Sequence, residues 1–189
     1  MKITLDSTPQ HPIVLGSFPD LFRVGTYQGA PTNYSAQLLL PKDSPQLAQL
    51  QKAVSDFAAQ QWGDAAKTAL AKQERSNSKV FRDGDSVDGQ TAEGNFKPGW
   101  QGHVRIKASN KQSPKVVDQS LRVLDESAGL PFAGCAVNAQ IEIYAFKDKK
   151  ELGFRLLVVQ HVAEGPRLGG GASSAPDMSA FKVLTDEIF

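Results

Sequence analysis

Cysteine is nearly absent from this chain of 189 residues: Cys135 stands alone, so no internal disulfide can form. Histidine is scarce as well. His11, His103 and His161 lie far apart, and none sits at metal-ligand spacing from another or from Cys135. No stretch approaches eighteen consecutive apolar residues, which removes a membrane-spanning helix from consideration. Met1 is not followed by a basic segment and then an apolar one, so the expected location is the cytoplasm. Catalytic motifs are missing too. No serine occupies a Gly-x-Ser-x-Gly elbow, and GPRLGGGASS lacks the Gly-Lys-Ser/Thr ending that cradles phosphates in a P-loop. The run RDGDSVDGQTAEG gathers Asp83, Asp85 and Asp88, but Val87 stands at the third ligand position of a calcium loop and Gly94 at the twelfth. The residues therefore point to no catalytic group, no metal and no cofactor.

One more absence is local. A net charge of +1 gives no support to a globally basic protein, yet no acidic residue occurs between Glu93 and Asp118. Lys97, Arg105, Lys107, Lys111 and Lys115 all fall inside that window. Asp186, Glu187 and the terminal carboxylate of Phe189 make a small negative tip at the other end. The two signs occupy different places along the chain.

What is present reads mainly as β structure. The apolar runs Ile13 to Phe18 and Tyr34 to Leu40 are bounded by Pro12, Pro19, Pro31 and Pro41, and proline is tolerated at strand ends. Leu47, Leu50, Val54, Phe57 and Ala58 recur at spacings of three and four, with Ser44 as N-cap and Pro45 at the first helical position. Gly63 ends that helix, Ala65 to Lys72 form a second, and the whole excursion runs from about 44 to 75. Asn77 to Gly99 is polar and glycine-containing, a long loop with a short strand at Lys79 to Arg82. Strands follow at 103–108, in CAVNAQIEIYAFKD and in ELGFRLLVVQHVAEG, the last two joined by a turn at Asp148 to Lys150. From 165 to 189 the composition is that of a flexible tail. The expectation is a single mainly β domain over 1–164 with an inserted helix. A five-stranded, partly open antiparallel barrel of the OB type fits it, as other α+β sheets do.

In WQGHVRIKASN, Val104, Ile106 and Ala108 alternate with His103, Arg105 and Lys107, giving a strand with one apolar and one basic face. Lys111 and Lys115 carry the charge through the next turn. Tyr144 and Phe146 project from the non-core face of another strand, and Phe96 and Trp100 flank the start of the basic one. Cations along a backbone and rings for bases are what holds single-stranded nucleic acid. Extending the strand register places Trp100 on the apolar face with Val104, so core filling and stacking are both open for it. Trp62, at the helix end, is read as packing. Water against the basic strand, in a structural or assembly protein, is the competing reading, and the same groove chemistry serves single-stranded RNA.

NYSAQLLLPKDSPQLAQLQKAV, RDGD, CAVNAQIEIYAFKD and GFRLLVVQHVAEGPRLGGG, in that order and spacing, resemble the single-stranded DNA-binding proteins of tailed bacteriophages. The resemblance spans most of the chain. It implies an OB-fold, no catalytic activity, and a role in phage DNA replication and recombination inside an infected bacterial cell. It also implies that the ending Asp186, Glu187 and Phe189 recruits a replication protein such as a DNA polymerase. This tail departs from the family in being sparse in acids and in carrying Arg167 and Lys182.

Overall fold

A computed structural model describes residues 1–168. Along the chain come β1 (Lys2–Leu5), β2 (Val14–Leu15), β3 (Thr26–Tyr27), β4 (Ala30–Pro31) and β5 (Tyr34–Pro41). Then follow α1 (Pro45–Trp62), α2 (Ala66–Glu74), β6 (Arg82–Asp83), β7 (His103–Asn110), β8 (Lys115–Val117), β9 (Ala136–Ala145) and β10 (Leu152–Ala163). Five of these strands close a barrel. β2 pairs antiparallel with β5 and β9, β5 with β7, and β9 with β10. The seam between β7 and β10 is parallel, with Phe154 opposite Ala108. The expected mainly β barrel with an inserted helix is therefore present, closed rather than partly open, and with one parallel junction. β1 extends β9 on one side, and β8 runs parallel to β10.

The alternation read in the sequence sets the core. Val137, Ala139, Ile141 and Ile143 of β9 point inward with Leu38 and Leu40 of β5, Ile106 and Ala108 of β7, and Phe154 and Leu156 of β10. Helix α1 covers this cluster with Leu47, Leu50, Val54 and Ala58, and Trp62 packs at its edge. Its start follows the expected cap: Leu47 N–H donates to Ser44 Oγ at 3.2 Å and Pro45 fills the first turn. Each fully buried leucine contributes roughly 1.5–3 kcal/mol relative to exposure. Among the described residues no helix is long and apolar enough to cross a membrane.

The segment from Asn77 to Gly99, expected as a loop, is folded back onto β7, and its short strand, expected at Lys79 to Arg82, is β6, two residues paired with Arg105 and Val104. Lys42 Nζ reaches both Asp83 Oδ1 at 2.5 Å and Asp85 Oδ2 at 2.7 Å, and Gly102 N–H donates to Asp85 Oδ1 at 2.9 Å. Backbone runs against backbone here. A Cβ on Gly84 would lie 1.8 Å from the Trp100 carbonyl oxygen, and one on Gly89 would lie 1.9 Å from that of Gly84. The aspartates of RDGDSVD thus bind lysine and arginine side chains, and among the described residues no cluster of acidic, histidine or cysteine side chains is placed to hold a metal.

Past β10 the packing continues. Leu168 N–H donates to the Ala133 carbonyl at 2.9 Å, the Arg167 guanidinium lies 3.8 Å from the Phe132 ring centre, and the Leu168 side chain lies against Gly99. The first residues assigned to the tail, 165–168, belong to the folded unit.

Candidate nucleic-acid interface

A cleft of about 760 Å³ lies where three parts of the chain meet. β7 supplies Arg105, Lys107 and Ser109, the β9–β10 hairpin supplies Tyr144, Phe146, Lys149 and Gly153, and the folded loop supplies Lys79, Arg82, Lys97 and Trp100. Six cations line it against one carboxylate, Glu151. Trp100, Arg105, Lys107, Tyr144 and Phe146, separated by up to forty-odd residues in sequence, converge there.

Arg105 is the electrostatic centre. It stands opposite Arg82 on the neighbouring strand, is half-buried, and donates from Nε to Gln37 Oε1 at 3.1 Å. Among the described residues it has no carboxylate partner. Burial, and then the like charge of Arg82, push its guanidinium down to about 10, with Asp88 opposing. Arg82 is better served: Nη2 donates to the Asn77 carbonyl at 2.6 Å and Nη1 lies 3.4 Å from Asp88 Oδ1. Asp88 also takes Lys79 Nζ at 2.7 Å on Oδ2, while Lys97 Nζ donates to its carbonyl at 2.8 Å. Asp88 therefore holds several cations at the cleft wall, leaving Arg105 and the exposed Lys107 unneutralised.

The rings divide into two kinds. Tyr144 and Phe146 stack edge to face, centroids 5.0 Å apart at 60°, with Phe146 39% exposed. Lys149 Nζ lies 4.9 Å from the Phe146 centroid and the Arg155 guanidinium 5.3 Å from that of Tyr144. Trp100 is different. It is only 5% exposed, with Lys97 Nζ 4.7 Å and the Arg105 guanidinium 5.6 Å from its ring centre. The alternative left open by its register resolves toward packing: the ring is covered, and it braces two cations. Phe96 is exposed beside Lys97 but does not line the cleft. Lys111 and Lys115 are exposed beyond the end of β7 and on β8, also outside the cleft. Asp186, Glu187 and Phe189 lie outside the described residues.

Sequence reasoning missed Lys79, Arg82 and Asp88, which carry no periodic signal because a non-local fold of the loop brings them in, and Gln37, which β5 places opposite Lys107. It also missed Gly153. Tyr144 and Gly153 are register partners, and a Cβ on Gly153 would sit 2.8 Å from Tyr144 Oη and 2.9 Å from Cζ, so the ring lies across the bare backbone. The signal was the lone glycine in an otherwise apolar strand.

The family model described as "Enterobacter phage Enc34, ssDNA-binding protein" matches residues 11–188. This chain belongs to that family. A relative of phage origin, putative protein p50 of Acyrthosiphon pisum secondary endosymbiont phage 1, is 30% identical over 193 residues, covering 99% of this chain and 97% of the relative. Among solved structures, the phage Enc34 single-stranded DNA-binding protein in complex with ssDNA is 23% identical, covers 84% of this chain and 89% of its own, and superposes with a TM-score of 0.56. The truncated form of that protein gives 0.57 at 22% identity over 84% and 88%. Bacteriophage T7 gp2.5, a single-stranded DNA-binding protein, gives 0.52 at 12% identity over 100% and 97%. These solved structures share the fold of this chain at low sequence identity.

Proposed function

We propose that the protein binds single-stranded DNA with little sequence preference and acts, without catalysis, in phage DNA replication and recombination. One observation carries this reading: the half-buried, carboxylate-free Arg105 stands in one cleft with Lys107, Tyr144 and Phe146. A half-buried guanidinium without a counter-charge is costly in the unliganded protein and is relieved by a phosphate. Arg105 and Lys107 pair with successive phosphates, while Tyr144 and Phe146 give the bases their faces. Lys111 and Lys115 continue the positive track along the outer edge, and Phe96 offers a further ring beside Lys97. Trp100 serves by holding Lys97 and Arg105 in place. The tail ending in Asp186, Glu187 and Phe189 recruits a replication protein such as a DNA polymerase, its sign being opposite to that of the cleft.

The test is anisotropy of a labelled oligothymidine of about thirty nucleotides at two salt concentrations, with duplex DNA and single-stranded RNA as competitors. If about four phosphates are neutralised, the logarithmic salt slope is about −2.8, and a fourfold rise in salt weakens binding about fifty-fold. Changing Arg105 and Lys107 together to alanine is expected to halve that slope, so that the same rise costs about seven-fold. Absence of binding at low salt overturns the reading and favours the assembly protein. Preference for RNA overturns the DNA assignment alone.

A further inference from the structure

We infer that the turn Ser17–Phe18 is an additional nucleobase subsite at the mouth of the cleft, with the Phe18 ring as its stacking platform. This rests on the single-stranded DNA reading above. Phe18 lines the cleft from the side of β2, is 80% exposed among the described residues, and has φ +56°. A bulky L residue rarely adopts that backbone, and it persists only where the surroundings over-determine it.

Both flanks of the turn are stapled to β5. Gly16 N–H donates to the Gln37 carbonyl at 2.8 Å and Gln37 Nε2 to the Ser17 carbonyl at 3.2 Å. On the far side Asp20 and Ser35 exchange backbone hydrogen bonds of 2.8 and 3.0 Å. Ser17 Oγ is buried with no hydrogen-bond partner among the described residues. Strain and an unpartnered hydroxyl therefore coincide at one turn, whose product is an exposed phenyl ring at the cleft mouth. Neither cost is repaid in the unliganded fold, the pattern expected of a ligand-contacting element.

The turn is also wired to the phosphate-binding centre. Gln37 bonds Ser17 through its Nε2 and Arg105 through its Oε1, so one side chain spaces the Phe18 turn from the guanidinium. A strand whose phosphate sits on Arg105 meets Tyr144 and Phe146 on one side of the cleft and Phe18 on another.

The experiment compares the full-length protein with its Phe18→Ala, Phe18→Leu and Phe18→Gly variants in the oligothymidine titration, alongside thermal melting. Loss of one stacked base corresponds to roughly 5- to 150-fold weaker binding. All three variants are expected to bind that much less tightly, with the wild-type salt slope and a melting midpoint no lower than wild type. Phe18→Gly, which removes the backbone strain, is expected to melt highest. Wild-type affinity in Phe18→Ala and Phe18→Leu, while Arg105→Ala weakens binding, overturns the subsite and leaves the parent reading standing. A weaker binder whose salt slope has also fallen overturns stacking in favour of displacement of Arg105 through Gln37. If the wild-type protein binds no oligothymidine, subsite and parent reading fall together.

Discussion

Gly153 shows how a residue without a side chain shapes a ring's position. Tyr144 crosses β10 directly over it, and Phe146 leans on Tyr144 in turn, so the aromatic wall depends on the missing Cβ. Gly153→Ala is expected to displace the Tyr144 ring and weaken oligothymidine binding by up to about ten-fold, part of one stacked base. Stability should stay within about 1 kcal/mol, because alanine restricts the unfolded chain more than glycine does. Tyr144→Ala alone should lose more, and adding Gly153→Ala to it should change little. Additive losses in that double-mutant cycle would separate Gly153 from the ring. At this scale the sequence disclosed types better than environments. Arg105, Lys107, Tyr144 and Phe146 were legible from strand alternation, whereas Trp100 was ambiguous because β7 begins only at His103, and the turn before it folds the ring under two cations.

At the scale of elements, α1, β5, β9 and β10 follow from local patterns: a cap, a period of 3.6 or 2, a bounding proline. The folded loop does not, because its order comes from Lys42 gripping Asp83 and Asp85 some forty residues away. Those side-chain hydrogen bonds hold both carboxyls below the usual range and raise the Lys42 ammonium above its own. The carboxylates therefore contribute to the latch at every pH above about 4, their unfolded value, and lose it as pH falls through the lowered folded values. The lysine contributes below about 10.4 and loses it as pH rises through its raised value. In a Trp62→Phe background, which leaves Trp100 as the emitter, intrinsic emission should accordingly stay constant from pH 8 to 5 and shift to the red only below about pH 4. The Lys42→Ala variant should show the red-shifted spectrum already at neutral pH, and an unaltered spectrum in that variant would assign the loop's order to its backbone contacts instead.

Across the whole molecule the charge is partitioned. Asp177, Asp186 and Glu187 against Lys182 leave 169–189 at −2, so the +1 of the complete chain places +3 on residues 1–168. Removing Leu184 to Phe189 is expected to leave oligothymidine affinity unchanged or raise it and, under the proposed tail role, to abolish co-sedimentation with a replication protein such as a DNA polymerase. Weaker DNA binding by the shortened protein would make the tail part of the DNA site. The barrel itself closes at the parallel seam between β7 and β10, and that arrangement orders events in time. A ribosome adding about 5–20 residues per second delivers the basic strand well before β10, which must emerge as far as Phe154 before the seam can form. Until then β7 has an unsatisfied edge and the cleft has no completed aromatic wall. A nascent or prematurely terminated chain consequently presents its cations without a groove, so the cleft is completed all at once, with the last strand among the described residues.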